Sequence, residues 1–209
     1  MPALTSALFL YIVIIFSSII HEYSHGWAAL QLGDPTAKYE GRLTLNPLAH
    51  IDPFGTVLLP IFLLLTSGIF IGYAKPVPFN PMNLRDPRRD AGLVGVAGPA
   101  SNLVIVLILG LIVRFMGNLA FMALLSPFLK LIIMINIWLA LFNLIPVPPL
   151  DGSKVLLSIA PKYFGRIFSA LEGLGIFSII IALFVAMTFL SYLAFPLFDL
   201  IVGQPFIVF

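Results

Sequence analysis

The chain alternates between long apolar stretches and shorter polar stretches that are rich in proline and glycine. Apolar segments one to five cover approximately residues 5–32, 54–73, 92–116, 127–145 and 173–200. Several of them reach about 20 residues, the length with which an α-helix crosses about 30 Å of hydrocarbon. The pattern therefore predicts an all-α, polytopic membrane protein.

The composition agrees with this class. Of the 209 residues, 60% are hydrophobic and 10% are charged, whereas soluble domains carry about 25% charged residues. No polar stretch exceeds about 25 residues, too few for a separate soluble domain, so we expect a single domain over residues 1–209. Cysteine is absent, which excludes a disulfide framework and a thiolate metal site. We expect the apolar start to be retained, because it lacks the basic region that opens a signal peptide.

Basic residues are concentrated in three polar stretches. They are Lys38 and Arg42 in the first, Lys75, Arg85, Arg88 and Arg89 in the second, and Lys154, Lys162 and Arg166 in the third. The positive-inside rule places all three stretches in the cytoplasm and both termini outside. Segment two lies between the first two stretches, so a single crossing there would put them on opposite sides.

We therefore expect about four full transmembrane helices, from segments one, three, four and five, and a re-entrant hairpin from segment two. The length of segment two alone would favour a simple span. Bends are expected at Pro60 and near Gly68 and Gly72, where irregular backbone must be covered by protein or water. Short strand-like loops, such as Lys38–Leu45, are expected at the cytoplasmic side.

Segment one contains the motif His21-Glu22-Tyr23-Ser24-His25, which reads H-E-x-x-H. On a helix, the two histidines share a face and can bind one Zn²⁺, and Glu22 is placed to take a proton from a metal-bound water. Ionisable side chains within an apolar segment are costly and indicate function. The competing interpretation is a pair of histidines that hydrogen-bond to neighbouring helices.

Zinc in a hydrolase usually has three protein ligands, so a third ligand is required. His50 or a carboxylate could supply it. Asp151 is the best candidate, because it follows the proline-rich end of segment four and lies at a depth similar to that of the two histidines. On spacing alone, an Asp-Gly pair after prolines is equally typical of a turn or helix cap.

Three motifs together carry a family resemblance. They are His21–His25, the stretch Gly98-Pro99-Ala100-Ser101-Asn102, and the stretch Asn143-Leu144-Ile145-Pro146-Val147-Pro148-Pro149-Leu150-Asp151-Gly152. Over residues 5–155 the chain resembles the site-2 protease family of intramembrane zinc metalloproteases, in a short form without a PDZ domain. Residues 156–209 form a further helical segment that adds little to the resemblance.

The resemblance implies a function and a set of roles. It implies one Zn²⁺ per chain, bound by His21, His25 and Asp151, with Glu22 as general base and Asn143 as a substrate-binding residue. It also implies single-span membrane proteins as substrates, cleaved within their transmembrane segments during regulated intramembrane proteolysis. We expect a multi-pass protein of the cell membrane, with its active site toward the cytoplasm and without a nucleic-acid partner; the oligomeric state is left open.

Other interpretations are weaker. A membrane metal transporter needs a polar pathway through the full thickness and often shows repeated halves, whereas the ionisable residues here gather at one depth. An inactive scaffold is disfavoured because Glu22 is present. Other residues have simpler expected roles. Gly98-Pro99 and Asn102 are expected to serve close helix packing and backbone hydrogen bonding near the site, and Asn136 an interhelical hydrogen bond. An unwound substrate is expected to pair as an added strand with residues 38–45 or 75–81.

Overall fold

The computed structural model describes residues 2–67 and 74–206. In chain order, its α-helices are α1 (Pro2–Gln31), α2 (Thr36–Tyr39), α3 (Leu59–Ser67), α4 (Pro87–Met116), α5 (Met122–Asn143), α6 (Asp151–Ile159), α7 (Pro161–Gly173), α8 (Ile176–Val185) and α9 (Ser191–Val202). Short 3₁₀ turns lie at Pro47–His50 and Pro81–Asn83, and π-helical turns at Pro53–Leu58 and Ala186–Leu190.

Four helical stretches are long and apolar enough to cross a membrane. They are Ala7–Gln31, Pro87–Met116, Met122–Asn143 and Phe177–Val202. These stretches correspond to segments one, three, four and five, so the predicted helical class with four membrane-crossing helices is confirmed. The last stretch is built from α8, a π-helical turn and α9.

Helix α4 lies at the centre of the fold and packs against α1, α5, α6 and α9. Glycines along α4 permit the close approach of its neighbours, as small residues do in membrane helices. A Cβ atom at Gly95 would lie 3.2 Å from the Asp151 carbonyl oxygen, and one at Gly110 would overlap Ile201. The largest apolar core, which includes Val106, Ile133 and Phe198, lies between α4, α5 and α9.

Two hydrogen bonds show which loops share an end of the bundle. Arg114 donates to the carbonyl oxygen of Leu200 over 2.7 Å, and Lys130 donates to Oε1 of Gln204 over 3.0 Å. The connection between α4 and α5 therefore lies beside the end of α9. With four crossing helices, the three basic stretches then lie together at the opposite end, as the charge pattern predicts.

The described part of segment two is one helical stretch, a π-helical turn followed by α3. Pro60, the second residue of α3, does not break this stretch, which continues through it from the π-helical turn. The bend predicted near Gly68 and Gly72 lies outside the described residues, and the re-entrant hairpin stays a prediction.

The strand predicted over Lys38–Leu45 is not what the structure shows, and the described ranges contain no strand. Lys38 instead lies in α2. The Asp34 carboxylate accepts a hydrogen bond from the backbone N–H of Thr36 over 3.1 Å, which starts a helical turn. Gly41, with φ of +65°, then reverses the chain so that the N–H of Arg42 bonds to the Ala37 carbonyl over 2.8 Å. Local hydrogen bonds between side chain and backbone thus outweigh the β-propensity of this stretch.

Candidate metal centre

Three donor atoms converge between α1 and α6. Nε2 of His21 and Nε2 of His25 lie 3.0 Å apart, and they lie 3.1 Å and 3.0 Å from Oδ2 of Asp151. Each of the three residues is only 5–6% exposed. Helix α1 presents the two imidazoles one turn apart, and Asp151 is the first residue of α6. The structure thus brings Asp151 to the histidine pair across 126 residues of chain.

His50 does not join this cluster. It is fully buried in the loop before segment two, and its Nε2 lies 2.8 Å from the Thr44 carbonyl oxygen. Among the residues that the structure describes, His21, His25 and Asp151 are the group whose donor atoms lie within 4.8 Å of one another. Of the alternatives left open by the sequence for the third ligand, the geometry therefore favours Asp151.

Nδ1 of each imidazole, the ring nitrogen that faces away from the cluster, hydrogen-bonds to a residue of α4. Nδ1 of His25 lies 2.6 Å from the Val94 carbonyl oxygen, and Nδ1 of His21 lies 2.6 Å from Oδ1 of Asn102. A carbonyl oxygen only accepts, so each Nδ1 carries the proton and donates it. Each Nε2 is then left with a lone pair directed at the cluster, which is the form in which histidine binds a metal.

The Asn102 side chain is itself fixed by a buried network. Its Nδ2 donates to Oδ1 of Asn136 over 2.9 Å, and Nδ2 of Asn136 donates to the Ser17 hydroxyl over 3.0 Å. All three residues are buried. Because the amide nitrogen of Asn102 faces Asn136, its oxygen faces His21. The network spans α1, α4 and α5.

The interhelical hydrogen bond predicted for Asn136 is confirmed. Sequence reasoning missed the contact between Asn102 and His21, because it assigned Asn102 to helix packing and backbone hydrogen bonding near the site. The available signal was weak: Ser17 precedes His21 by four residues, so both lie on one face of α1. Nothing in the sequence pairs that face with two asparagines from other helices.

Gly98 leaves room beside the two donor nitrogens. A Cβ atom at this position would lie 2.5 Å from Nε2 of His21, and it would also overlap Nε2 of His25. Gly152 similarly permits the tight turn before α6, because a Cβ there would overlap the Leu144 carbonyl. The second Asp151 oxygen, Oδ1, accepts a hydrogen bond from Lys154 over 2.9 Å, which leaves Oδ2 to face the histidines.

The donor set fits Zn²⁺. Two neutral imidazoles and one carboxylate form a three-ligand set used by zinc hydrolases, which keep a further position open. Buried carboxylates and imidazoles are also the groups that would hold such an ion here, since the chain contains no thiolate. The space beside Gly98 adjoins both nitrogens, which is consistent with an ion held among these groups.

The other two predicted site residues, Glu22 and Asn143, lie outside this cluster. Glu22 directly follows His21, is half-buried, and accepts a hydrogen bond from the backbone N–H of Val77 over 2.8 Å. Asn143 is half-buried at the end of α5, and its Nδ2 donates to the Leu139 carbonyl of its own helix over 2.9 Å. The described contacts of Asn143 do not include the cluster.

Fold and site together define a helical membrane protein with a buried cluster of two histidines and one aspartate that could hold a metal ion. Residues 110–188 match the sequence model of Peptidase family M50. The chain is 37% identical to "Putative zinc metalloprotease YwhC" of Bacillus subtilis, over 91% of this chain and 86% of that protein. It is 33% identical to "Putative zinc metalloprotease Rip2" of Mycolicibacterium smegmatis, over 68% of this chain and 53% of that protein. No solved structure gives a significant match.

The chain belongs to peptidase family M50, the site-2 protease family. It is accordingly a zinc-dependent metallopeptidase with multi-pass membrane character. The resemblance drawn from the three sequence motifs is thereby confirmed.

Proposed function

We propose that this protein is an intramembrane endopeptidase that hydrolyses peptide bonds within the transmembrane segments of single-span membrane proteins. His21, His25 and Asp151 would hold the zinc ion, and Glu22 would act as general base. The observation that carries the proposal is that three buried atoms able to bind a metal lie close together, while Nδ1 of each imidazole hydrogen-bonds to an oxygen of α4.

Zinc, when bound, supplies Lewis acidity that polarises a carbonyl group and makes water acidic enough to react near neutral pH. The residues of this chain do the rest. Glu22 takes a proton from the attacking water and passes it to the leaving amine nitrogen as the carbon–nitrogen bond breaks. Val94 and Asn102 accept hydrogen bonds from Nδ1 of the two imidazoles, which fixes the tautomer and the orientation of each ring. The surrounding apolar helices limit the access of bulk water.

A substrate helix has to unwind before it can react, because its peptide carbonyls are engaged in the helical hydrogen bonds. Of the two loops considered for pairing with an unwound substrate, residues 75–80 form no helix, and their prolines favour extended backbone, whereas Lys38 lies in a helix. The loop over residues 75–80 is therefore the better candidate for strand addition. Asn143, the last residue of α5, would bind the substrate backbone. Its amide would then donate to a substrate carbonyl in place of the Leu139 carbonyl.

We place the protein in the cell membrane, with the site toward the cytoplasm. The support is that the basic stretches gather at one end of the bundle, and that α5 ends at this same end just before Asp151. Water and released fragments would then exchange with the cytoplasm.

The test is a comparison of the wild type with Glu22→Gln. Comparative proteomics of membrane fractions should reveal single-span proteins that accumulate uncut in the Glu22→Gln strain. One of these, purified, then serves as substrate in vesicles. We expect Glu22→Gln to keep about one zinc per chain and to lose cleavage, whereas Asp151→Ala loses zinc as well. Cleavage by Glu22→Gln at the wild-type rate contradicts the proposal, and zinc flux into vesicles that Glu22→Gln leaves intact would favour a transporter.

A further inference from the structure

The segment Ala74–Asn80, called the strap below, has no regular secondary structure and lies beside α1 at Glu22. Its sequence alternates a residue with proline, in Lys75-Pro76-Val77-Pro78. A residue before proline is restricted to extended backbone, and proline itself has a fixed φ and no N–H. The strap is therefore stiff, and between Pro76 and Pro78 the N–H of Val77 is the one backbone donor. That donor bonds to Oε2 of Glu22 over 2.8 Å.

The strap is fastened before Val77 by the loop that follows α2. The buried Arg42 donates from Nη2 to the carbonyl oxygens of Lys75 and Pro76 over 2.7 Å and 3.1 Å. The N–H of Lys75 in turn donates to the His50 carbonyl over 2.9 Å. Three hydrogen bonds thus fix the backbone directly before the Val77 N–H.

The strap is also fastened after Val77, by Asp34. The Asp34 carboxylate accepts from the N–H of Asn80 over 2.6 Å and from the Asn83 side chain over 2.9 Å. Burial alone would raise the pKa of Asp34, but hydrogen bonds from Thr36, Asn83 and Asn80 outweigh it and hold that pKa below its usual range. Asp34 is therefore ionised at neutral pH and keeps its acceptor role.

The distance between the strap and α1 is set by Gly26. The Val77 side chain is buried, and a Cβ at Gly26 would lie 2.9 Å from its Cγ1 atom. Gly26 follows Glu22 by four residues, so the two share a face of α1. A larger residue at position 26 would push the strap away from the Glu22 carboxylate.

From these contacts we propose that Val77 is a positioning residue, whose backbone N–H holds the Glu22 carboxylate in its working orientation. The inference rests on the proposed role of Glu22 as general base. A glutamate side chain is flexible, and ordering it costs up to about 2 kcal/mol. A donor aimed by two prolines fixes one carboxylate oxygen in advance and leaves the other for the proton. Displacement of a reacting group by about 1 Å can cost about 100-fold in rate.

The first test observes the hydrogen bond without any catalysis. In zinc-loaded protein labelled with ¹⁵N-valine, the amide signal of Val77 is identified by its loss in Val77→Ala. We expect this signal to lie downfield, as for an N–H bonded to a carboxylate, and to move upfield in Glu22→Gln more than the signal of Val202, at the far end of the fold. A Val77 signal that Glu22→Gln leaves in place overturns the inference.

The second test removes the backbone donor. Replacing Val77 by the corresponding α-hydroxy acid turns its N–H into an ester oxygen and keeps the side chain. We expect kcat to fall about 10- to 100-fold, with KM and zinc content unchanged. Val77→Ala keeps the N–H and should retain about ten times more activity than the ester. An ester variant with wild-type kcat overturns the inference.

A third variant changes the spacing and leaves the donor intact. Gly26→Ala should lower kcat by displacing the strap, and adding Val77→Ala should restore part of it, because the overlapping Cγ1 atom is then gone. A merely destabilising effect of Gly26→Ala would not be relieved in this way. If Glu22→Gln itself remains active, the proposed function fails; if it is inactive while the ester variant is fully active, only the role of Val77 fails.

Discussion

The strongest quantitative prediction concerns Asn102. Replacing it with alanine removes the acceptor for Nδ1 of His21 and the donor for Oδ1 of Asn136. Both atoms lie in the buried interior, where water cannot replace the lost partner. An unsatisfied buried polar group costs about 1–3 kcal/mol. The imidazole of His21 also becomes free to rotate or to move its proton to Nε2.

The expected result is a weaker zinc site. The cost on the His21 side, about 1–3 kcal/mol, corresponds to about a 5- to 150-fold loss in affinity at about 1.4 kcal/mol per factor of ten. This range agrees with the roughly 10- to 100-fold effect that loss of such a supporting partner has in other metal sites. Stability without zinc should fall as well, because Asn136 is left half-satisfied.

The assay is competition between the purified protein, in detergent, and a chromogenic zinc chelator. Asn143→Ala is the matched control, since it removes the same side chain from a helix in which the amide bonds only to the Leu139 carbonyl. We expect the control to bind zinc as the wild type does. A folded Asn102→Ala protein with wild-type zinc affinity would refute the argument that this amide orients His21.

Two further predictions address the space beside the cluster and the side of the membrane. Helix propensity alone would make Gly98→Ala stabilising by about 1 kcal/mol, but the added Cβ overlaps both Nε2 atoms and should weaken zinc binding at least tenfold. The control Gly165→Ala, with open space around it, should bind zinc as the wild type does. Equal zinc affinities of the two variants would contradict this prediction. Because the chain has no native cysteine, Glu40→Cys and Asn118→Cys report sidedness directly, and an impermeant thiol reagent added to intact cells should label position 118 and not position 40. Labelling of position 40 and not of position 118 would show that the topology is the reverse of the predicted one.

Features that depend on nearby residues could be read from the sequence. The spacing of His21 and His25 places both imidazoles on one face of α1, because a helix repeats every 3.6 residues. The lengths of the apolar segments indicate the crossing helices, since lipid leaves the backbone no hydrogen-bond partners but its own. Even here local chemistry could mislead: the β-prone stretch after Asp34 begins with a helical turn, whose first residue donates its N–H to the Asp34 carboxylate.

Contacts between distant segments were decided only by the folded structure. Asp151 meets the histidines, and His50 does not, because the turn after α5 carries α6 back against α4 and α1. The Asn102–Asn136–Ser17 network and the bond from Val77 to Glu22 join side chains and backbone from separate elements. A pattern of residue types records which groups are polar, whereas the partner of each buried polar group is fixed by how the helices pack. The sequence thus determined the class of protein and indicated the candidate site residues, and the tertiary structure determined which groups pack against those residues.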